Sequence, residues 1–240
     1  MILAAFLSVC MLSIAQSEEN YSMYVYLSDG SVEAYSVSDV DSVVFVDATE
    51  DVVSSDTTYI NGYAAVDLGL SILWATCNIG ADSPEDYGDY FAWGETEPKD
   101  TFNTDNSVTY GVSMSDISGD AEYDAATANW GDSWRMPTYD EMKELFDNCT
   151  WTWTWTVNSQ VYYGYKVTSN VNGNSIYLPA AGYRNGTSLI NAGSVGVYWS
   201  SSPYSRDPYN AYCLSFGSSF RSMGYSRRYY GRSVRPVSDY

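Results

Sequence analysis

The chain is 240 residues long, carries a formal charge of −19 and contains no histidine. That length holds one ordinary domain with a small second unit, and so acidic a chain is a poor partner for nucleic acid or an anionic membrane surface. The missing histidine excludes Ser-His-Asp and Cys-His catalysis, histidine metal sites and HExxH peptidases together.

Residues 2–15 form an apolar run of signal-peptide length, followed by polar Ser17-Glu18-Glu19-Asn20. Ser13 and Ala15 are the small residues that precede a cut before Gln16. The run is too short for a membrane span. Leu7-Ser8-Val9-Cys10 matches a lipoprotein acylation site only loosely, because valine before the cysteine fits poorly. Residues 1–15 are therefore read as a signal peptide, and the chain as secreted or displayed on the outer cell surface, with no transmembrane span.

Residues 20–47 read as a small β unit. Met23 to Leu27 runs into the hairpin turn signal Asp29-Gly30, Val32 to Val37 returns, and Ser42 to Val46 offers a third strand. The acidic, Ser/Thr-rich residues 48–62 read as a linker, and residues 63–240 as the main domain. Within it Ala64–Leu68 and Ile72–Cys77 read as strands, and 83–98 as ordered loop. Thr138 and Glu141 form a capping box ahead of an apolar helical stripe, Met142, Leu145, Phe146 and Cys149. The run Thr150 to Thr156 alternates with period two, so Trp151, Trp153 and Trp155 share one strand face, read as core rather than as a sugar-stacking platform. Strands follow at 161–168, 174–179, 196–201, 210–216 and 232–237. Many strands with one or two helices give an α+β domain.

Cys77, Cys149 and Cys213 remain after the leader; an odd count allows at most one internal disulfide, and Cys77–Cys149 is one pairing open to it. No CxxC pair, GxGxxG, Walker loop or GxSxG occurs, so no cofactor and no metal site is expected. The acid–base groups in number are carboxylates: Glu85, Asp86, Asp89, Glu95 and Glu97 lie among Tyr87, Tyr90, Phe91 and Trp93. A glycosidase would need two of them facing each other across a cleft, and clustered oxygens also suit calcium.

The last forty residues have a different vocabulary. Tyr, Ser, Arg, Gly and Asn crowd around Leu214, Phe216, Val234 and Val237, and 200–232 contains no Lys, Glu, Gln or Trp. Tyrosine supplies contact area at low entropy cost, while Ser, Gly and Asn supply adaptable hydrogen bonding, as in antibody combining loops. Leu214 and Phe216 alternate inward, which puts Cys213 on the other side, as an exposed or loop-buried thiol.

Several blocks occur in a familiar order: Val66-Asp67-Leu68-Gly69-Leu70-Ser71-Ile72-Leu73-Trp74-Ala75, Tyr87-Gly88-Asp89-Tyr90-Phe91-Ala92-Trp93-Gly94-Glu95, Trp134-Arg135-Met136-Pro137-Thr138, Leu178-Pro179-Ala180-Ala181-Gly182-Tyr183-Arg184, Tyr198-Trp199-Ser200-Ser201 and Ser233-Val234-Arg235-Pro236-Val237. Together they resemble the Fibrobacter succinogenes major paralogous domain family of exported Bacteroidetes proteins, over residues 63–237. The resemblance implies a C-type lectin-like fold related to the formylglycine-generating-enzyme branch. It implies neither oxidase activity nor calcium-dependent sugar binding, since the cysteines sit in unrelated contexts and the lectin sugar triplets are missing. Asn210 to Phe216 and Tyr229 to Val237 further resemble the variable region of proteins diversified by retroelements, where Asn-type codons are randomised on this scaffold.

The expectation is an α+β, C-type lectin-like domain behind a small β-hairpin unit, acting as an exported, non-enzymatic binding protein. Its contacts to a protein or cell-surface polymer ligand are assigned to Tyr204, Arg206, Tyr209, Tyr212, Ser215, Phe220, Arg221, Tyr225, Ser226, Arg227, Tyr229 and Tyr230. The rival readings are a structural or adhesive surface protein, and a carbohydrate-active enzyme using the carboxylates of 85–97.

Overall fold

A computed structural model describes the backbone of residues 22–26 and 32–36 and the chain over 57–154 and 162–240. The leader at 1–15, the third strand at 42–46, most of the expected linker and Trp155 lie outside the described residues. The chain divides into two compact units, Met1–Val46 and Asp47–Tyr240. In the first, β1 (Ser22–Tyr26) pairs antiparallel with β2 (Val32–Ser36), Tyr26 opposite Val32, as the Asp29-Gly30 signal predicts.

The second unit is mostly antiparallel sheet with two short helices, an α+β arrangement. Its first sheet, in the order β14-β5-β4-β3, consists of β3 (Thr57–Ile60), β4 (Tyr63–Asp67), β5 (Leu73–Ala75) and β14 (Val237–Ser238). The last strand of the chain thus returns to the first sheet of this unit, Val237 opposite Trp74. β3 corrects the linker assignment for 57–60. Thr57, Thr58, Tyr59 and Ile60 are strand formers, and Asn61 (φ 49°) with Gly62 (φ 84°) makes the tight turn that an Asn-Gly pair favours between strands.

Helix α1 (Ala125–Trp130) is capped by Asp124, whose buried carboxylate accepts the N–H groups of Ala126 and Thr127, and also those of Gly119 and Met136. Helix α2 (Tyr139–Asn148) starts at the expected capping box, with Met142 and Leu145 buried. Cys149 belongs to the next strand rather than to the helix. β6 (Cys149–Thr154), β7 (Gly164–Ser169) and β8 (Ser175–Pro179) form the second sheet. There Trp151 and Trp153 lie half-buried against the core and meet Tyr165 edge-on at 5.5 and 5.1 Å, as the core reading expects. β9 (Tyr183–Asn185) and β10 (Ser188–Ile190) form a small hairpin. Before it, Gly182 (φ 68°) passes so near β10 that a Cβ would meet the Ile190 carbonyl oxygen at 2.3 Å, which accounts for the glycine of the Leu-Pro-Ala-Ala-Gly block.

The third sheet, β11 (Val195–Pro203), β12 (Asn210–Gly217) and β13 (Phe220–Arg227), is antiparallel, with a register shift between Trp199 and Pro203 on β11, an unbroken β12–β13 pairing and β13 at its edge. β12 is buried on both faces. Ala211 and Cys213 enter one core with Trp93, Trp134 and Trp199; Leu214 and Phe216 enter the other with Trp74, Tyr165 and Tyr198. Cys213 is accordingly 2 % exposed, not an exposed or loop thiol. An alternating pattern does put Cys213 opposite in sense to Leu214, but here the opposite face is covered as well. All three described cysteines are free, so the Cys77–Cys149 pairing is not formed. Cys149 turns into the core beneath α2, whereas Cys77 is half-buried beside the Thr76 hydroxyl. The strand expected at 232–237 is reduced to β14 plus single bridges, Arg232 to Phe91 and Ser233 to Tyr198, because buried arginines and Pro236 interrupt it.

Candidate functional site

The C-terminal ladder positions the expected contact residues. Gly217 opposes Phe220 across a two-residue turn, and from there β13 runs back along β12, with Arg221 opposite Phe216, Met223 opposite Leu214, Tyr225 opposite Tyr212 and Arg227 opposite Asn210. Opposed residues share a face. Arg221, Met223, Tyr225 and Arg227 therefore extend, on the edge strand, the face that Leu214 and Phe216 present to the core on β12, and Met223 still packs against that core.

All twelve expected contact residues fall in the exposed or half-buried classes. Nine of them form three groups rather than one. Tyr225, 55 % exposed, stacks on Tyr204 with centroids 3.9 Å apart; Tyr204 meets Tyr212 at 5.3 Å, and Tyr212 meets Tyr139 at 4.4 Å. A second chain of rings runs Tyr209–Tyr110–Tyr229–Tyr230–Tyr183 with centroid spacings of 5.0, 5.3, 4.5 and 5.6 Å. Arg227 joins this chain, donating to the Tyr110 hydroxyl at 2.6 Å. The hydrogen bond between Tyr229 and Tyr230, with partial burial, pushes the Tyr229 phenol up to about 12. The third group, Phe220 and Arg221, lies at the hairpin tip. Seven residues of strand put Phe220 roughly 23 Å from Arg227. Arg206 is exposed in the β11–β12 connection.

Three assignments take a different form from the expectation. Ser215 faces the Cys213 side of the sheet, its hydroxyl 3.8 Å from the Cys213 sulfur. Ser226 accepts from Arg232. The guanidinium of Arg221 lies over Phe146 (4.4 Å) and Trp151 (4.9 Å) and holds the hairpin tip against α2 and β6. Tyr110, Tyr139 and Tyr183 were missed. They come from a loop, a helix start and β9, and no spacing in the sequence links them to β12 or β13. The basic character of the segment also divides in two: Arg228, Arg232 and Arg235 are buried, while Arg206 and Arg227 are exposed.

Glu95 is held by Lys99 (2.5 Å) and by the Val108 N–H (3.1 Å). A cleft of about 440 Å³ is lined by Thr58, Ile60, Leu73, Asp132, Arg135 and Tyr240 among others, and takes in none of the carboxylates of 85–97 and none of the C-terminal tyrosines named above. Among the described residues no three Cys, Asp or Glu side chains are grouped as metal ligands, and no helix is long and apolar enough to cross a membrane.

A family model described as a domain of unknown function (DUF8237) matches residues 153–237, from the second tryptophan of β6 to the start of β14. The match takes in the whole of the third sheet and leaves out the first sheet's β3–β5 and both helices. No curated protein and no solved structure matches the chain.

Proposed function

We propose that this protein is an exported, non-enzymatic binding protein. In this reading a C-type lectin-like domain presents the β12–β13 face and its flanking tyrosines to a protein or cell-surface polymer. One observation carries it: the apolar residues of the C-terminal segment are buried while several of its tyrosines stay at the surface. Leu214, Phe216, Val234 and three arginines are at most 6 % exposed, while Tyr209 and Tyr225 are 45 % and 55 % exposed on a surface tiled with rings. Stacked, half-exposed tyrosines are already ordered, so a partner that covers them gains area at small entropic cost. Arg206 and Arg227 add planar donors at the margin. Strong burial of Tyr225 and Tyr229 would favour the adhesive reading, in which they pack against a neighbouring domain; Tyr225 is 55 % exposed and Tyr229 half-buried.

The resemblance to retroelement variable regions fits the same separation, with one narrowing. Cys213, Arg228 and Arg232 are core residues and belong to the fixed scaffold; the varying positions would be the exposed ones. Sequencing the 3′ end of the gene across a population tests this. Substitutions confined to positions such as Tyr204, Arg206, Tyr209, Tyr225 and Arg227 are expected, and a uniform sequence would contradict diversification.

The function itself is tested on an array of bacterial surface proteins and polysaccharides. The native chain is expected to bind at least one member, and replacement of Tyr209, Tyr225 and Tyr229 by Ala is expected to remove that binding with little change in melting temperature. Equal binding by the variant would refute the assignment.

A further inference from the structure

β13 is an eight-residue strand at the edge of its sheet, without proline or bulge. The direction of its backbone groups follows from the ladder. Arg228 N–H donates to the Tyr209 carbonyl (3.0 Å), one rung beyond Asn210–Arg227. Antiparallel rungs alternate between bonded and non-bonded pairs. The bonded rungs are therefore Ala211–Ser226, Cys213–Gly224, Ser215–Ser222 and Gly217–Phe220. The N–H and C=O groups of Arg221, Met223 and Tyr225 consequently point away from β12. Among the described residues nothing hydrogen-bonds to them, and a Cβ added at Gly224 would meet no atom within 4 Å.

A row of outward donors and acceptors at every second residue is matched only by another strand. The charge on this edge selects its chemistry. Arg221 and Arg227 bracket it on one face, neither has a carboxylate at ion-pair distance among the described residues, and residues 208–238 contain no Asp or Glu. Between them on that face lie Met223, partly buried against the core, and Tyr225, 55 % exposed. A second copy is a poor occupant: with the two strands fully overlapped, Arg221 would oppose Arg227 of the copy, and each chain carries −19.

We propose that β13 accepts an extended acidic polypeptide segment as an additional antiparallel strand. Carboxylates six residues apart would oppose Arg221 and Arg227, with apolar residues opposite Met223 and Tyr225. This rests on the reading of the C-terminal ladder as the recognition surface, and it names the class of partner.

The test uses the full chain and an end-capped, fluorescently labelled peptide, Glu-Thr-Val-Thr-Val-Thr-Glu, followed by anisotropy. In antiparallel addition with its carboxylates opposite the arginines, the valine N–H groups face β13 and the threonine N–H groups face outward. Saturable binding is expected, weakened roughly tenfold or more by N-methylation of both valines. N-methylation of the threonines should leave it nearly unchanged, and exchanging both glutamates for lysine should weaken it. No saturable binding, equal sensitivity to the two methylation patterns, or a dimer of the free chain in sedimentation velocity would overturn the proposal. The protein is unaltered throughout, so misfolding cannot produce these results. The tyrosine variant on the array judges the recognition surface separately: its loss of binding alongside a failed peptide would remove the edge and keep the face.

Discussion

Three arginines in the last thirteen residues are buried with no acid beside them. Arg235 donates to Asn78 Oδ1 (2.9 Å) and to the carbonyls of Ala75 (3.0 Å), Thr76 and Tyr177 (2.9 Å), so one guanidinium ties β5, the loop after it and β8 to the end of the chain. Arg228 lies 4.2 Å over Trp93 and donates to the carbonyls of Asn210, Thr109 and Val112; burial pushes it down to about 10. Arg232 lies 4.6 Å from Trp199 and bonds Cys213 Sγ and Ser226. A planar fork satisfies several carbonyls at once, which a lysine cannot do. Arg235→Met should therefore cost about 3 kcal/mol or more by leaving buried acceptors unpaired, and Arg235→Lys should cost nearly as much. Urea unfolding measures both; a loss below about 1 kcal/mol for either would contradict this role. From sequence alone these arginines looked the same as Arg206 and Arg227, because nothing local distinguishes a guanidinium that folds inward from one that faces water.

At the scale of elements, local chemistry was the readable part. The Trp134 to Thr138 block and Glu141 make one device. Glu141 accepts from Thr138 N–H (2.8 Å) and from both Arg135 Nη1 and Nη2 (2.8 and 2.7 Å), while Thr138 caps the helix in return. Burial by itself would raise the Glu141 carboxyl, but Arg135 and the Thr138 N–H outweigh it and hold it below its ordinary value. A carboxyl lowered in the folded state contributes stability that is complete above its unfolded value near 4.3, and that is lost as pH falls through the folded one. Glu141→Gln should therefore destabilise the protein at pH 7 and converge with the native chain below about pH 4, as read from melting temperatures across that range. A pH-independent difference would contradict it. The hairpin of the first unit, α2 and most strands were readable for the same reason: period, caps and turn residues are local. β3 is hard to read although Asn61-Gly62 signals its turn, because it follows directly on an acidic, Ser/Thr-rich run with no boundary between them. β13 was missed because its glycine, serines and arginines have weak strand preference and the ladder to β12 supplies the order.

The whole second unit is organised around β11 and β12, which separate two cores, and around a chain end that returns to the first sheet. This explains why a segment so rich in Tyr, Ser and Gly is ordered. Its alternate residues are driven into two apolar layers, and what remains outside is held at fixed spacing. That such a segment is a surface was readable from composition. Which tyrosines are neighbours was not, since Tyr110 and Tyr139 reach the ladder through tertiary packing alone. The account's central claim is that the C-terminal ladder is a tolerant display on an intolerant scaffold. The most direct measurement randomises each position from 200 to 237 singly and scores the folded fraction by protease resistance on a display platform. Tyr204, Arg206, Tyr209, Tyr225 and Arg227 are expected to accept most residues, whereas Cys213, Leu214, Phe216, Arg228, Arg232 and Arg235 should accept few. Tyrosines as intolerant as Leu214 would contradict the claim, for they would then be core.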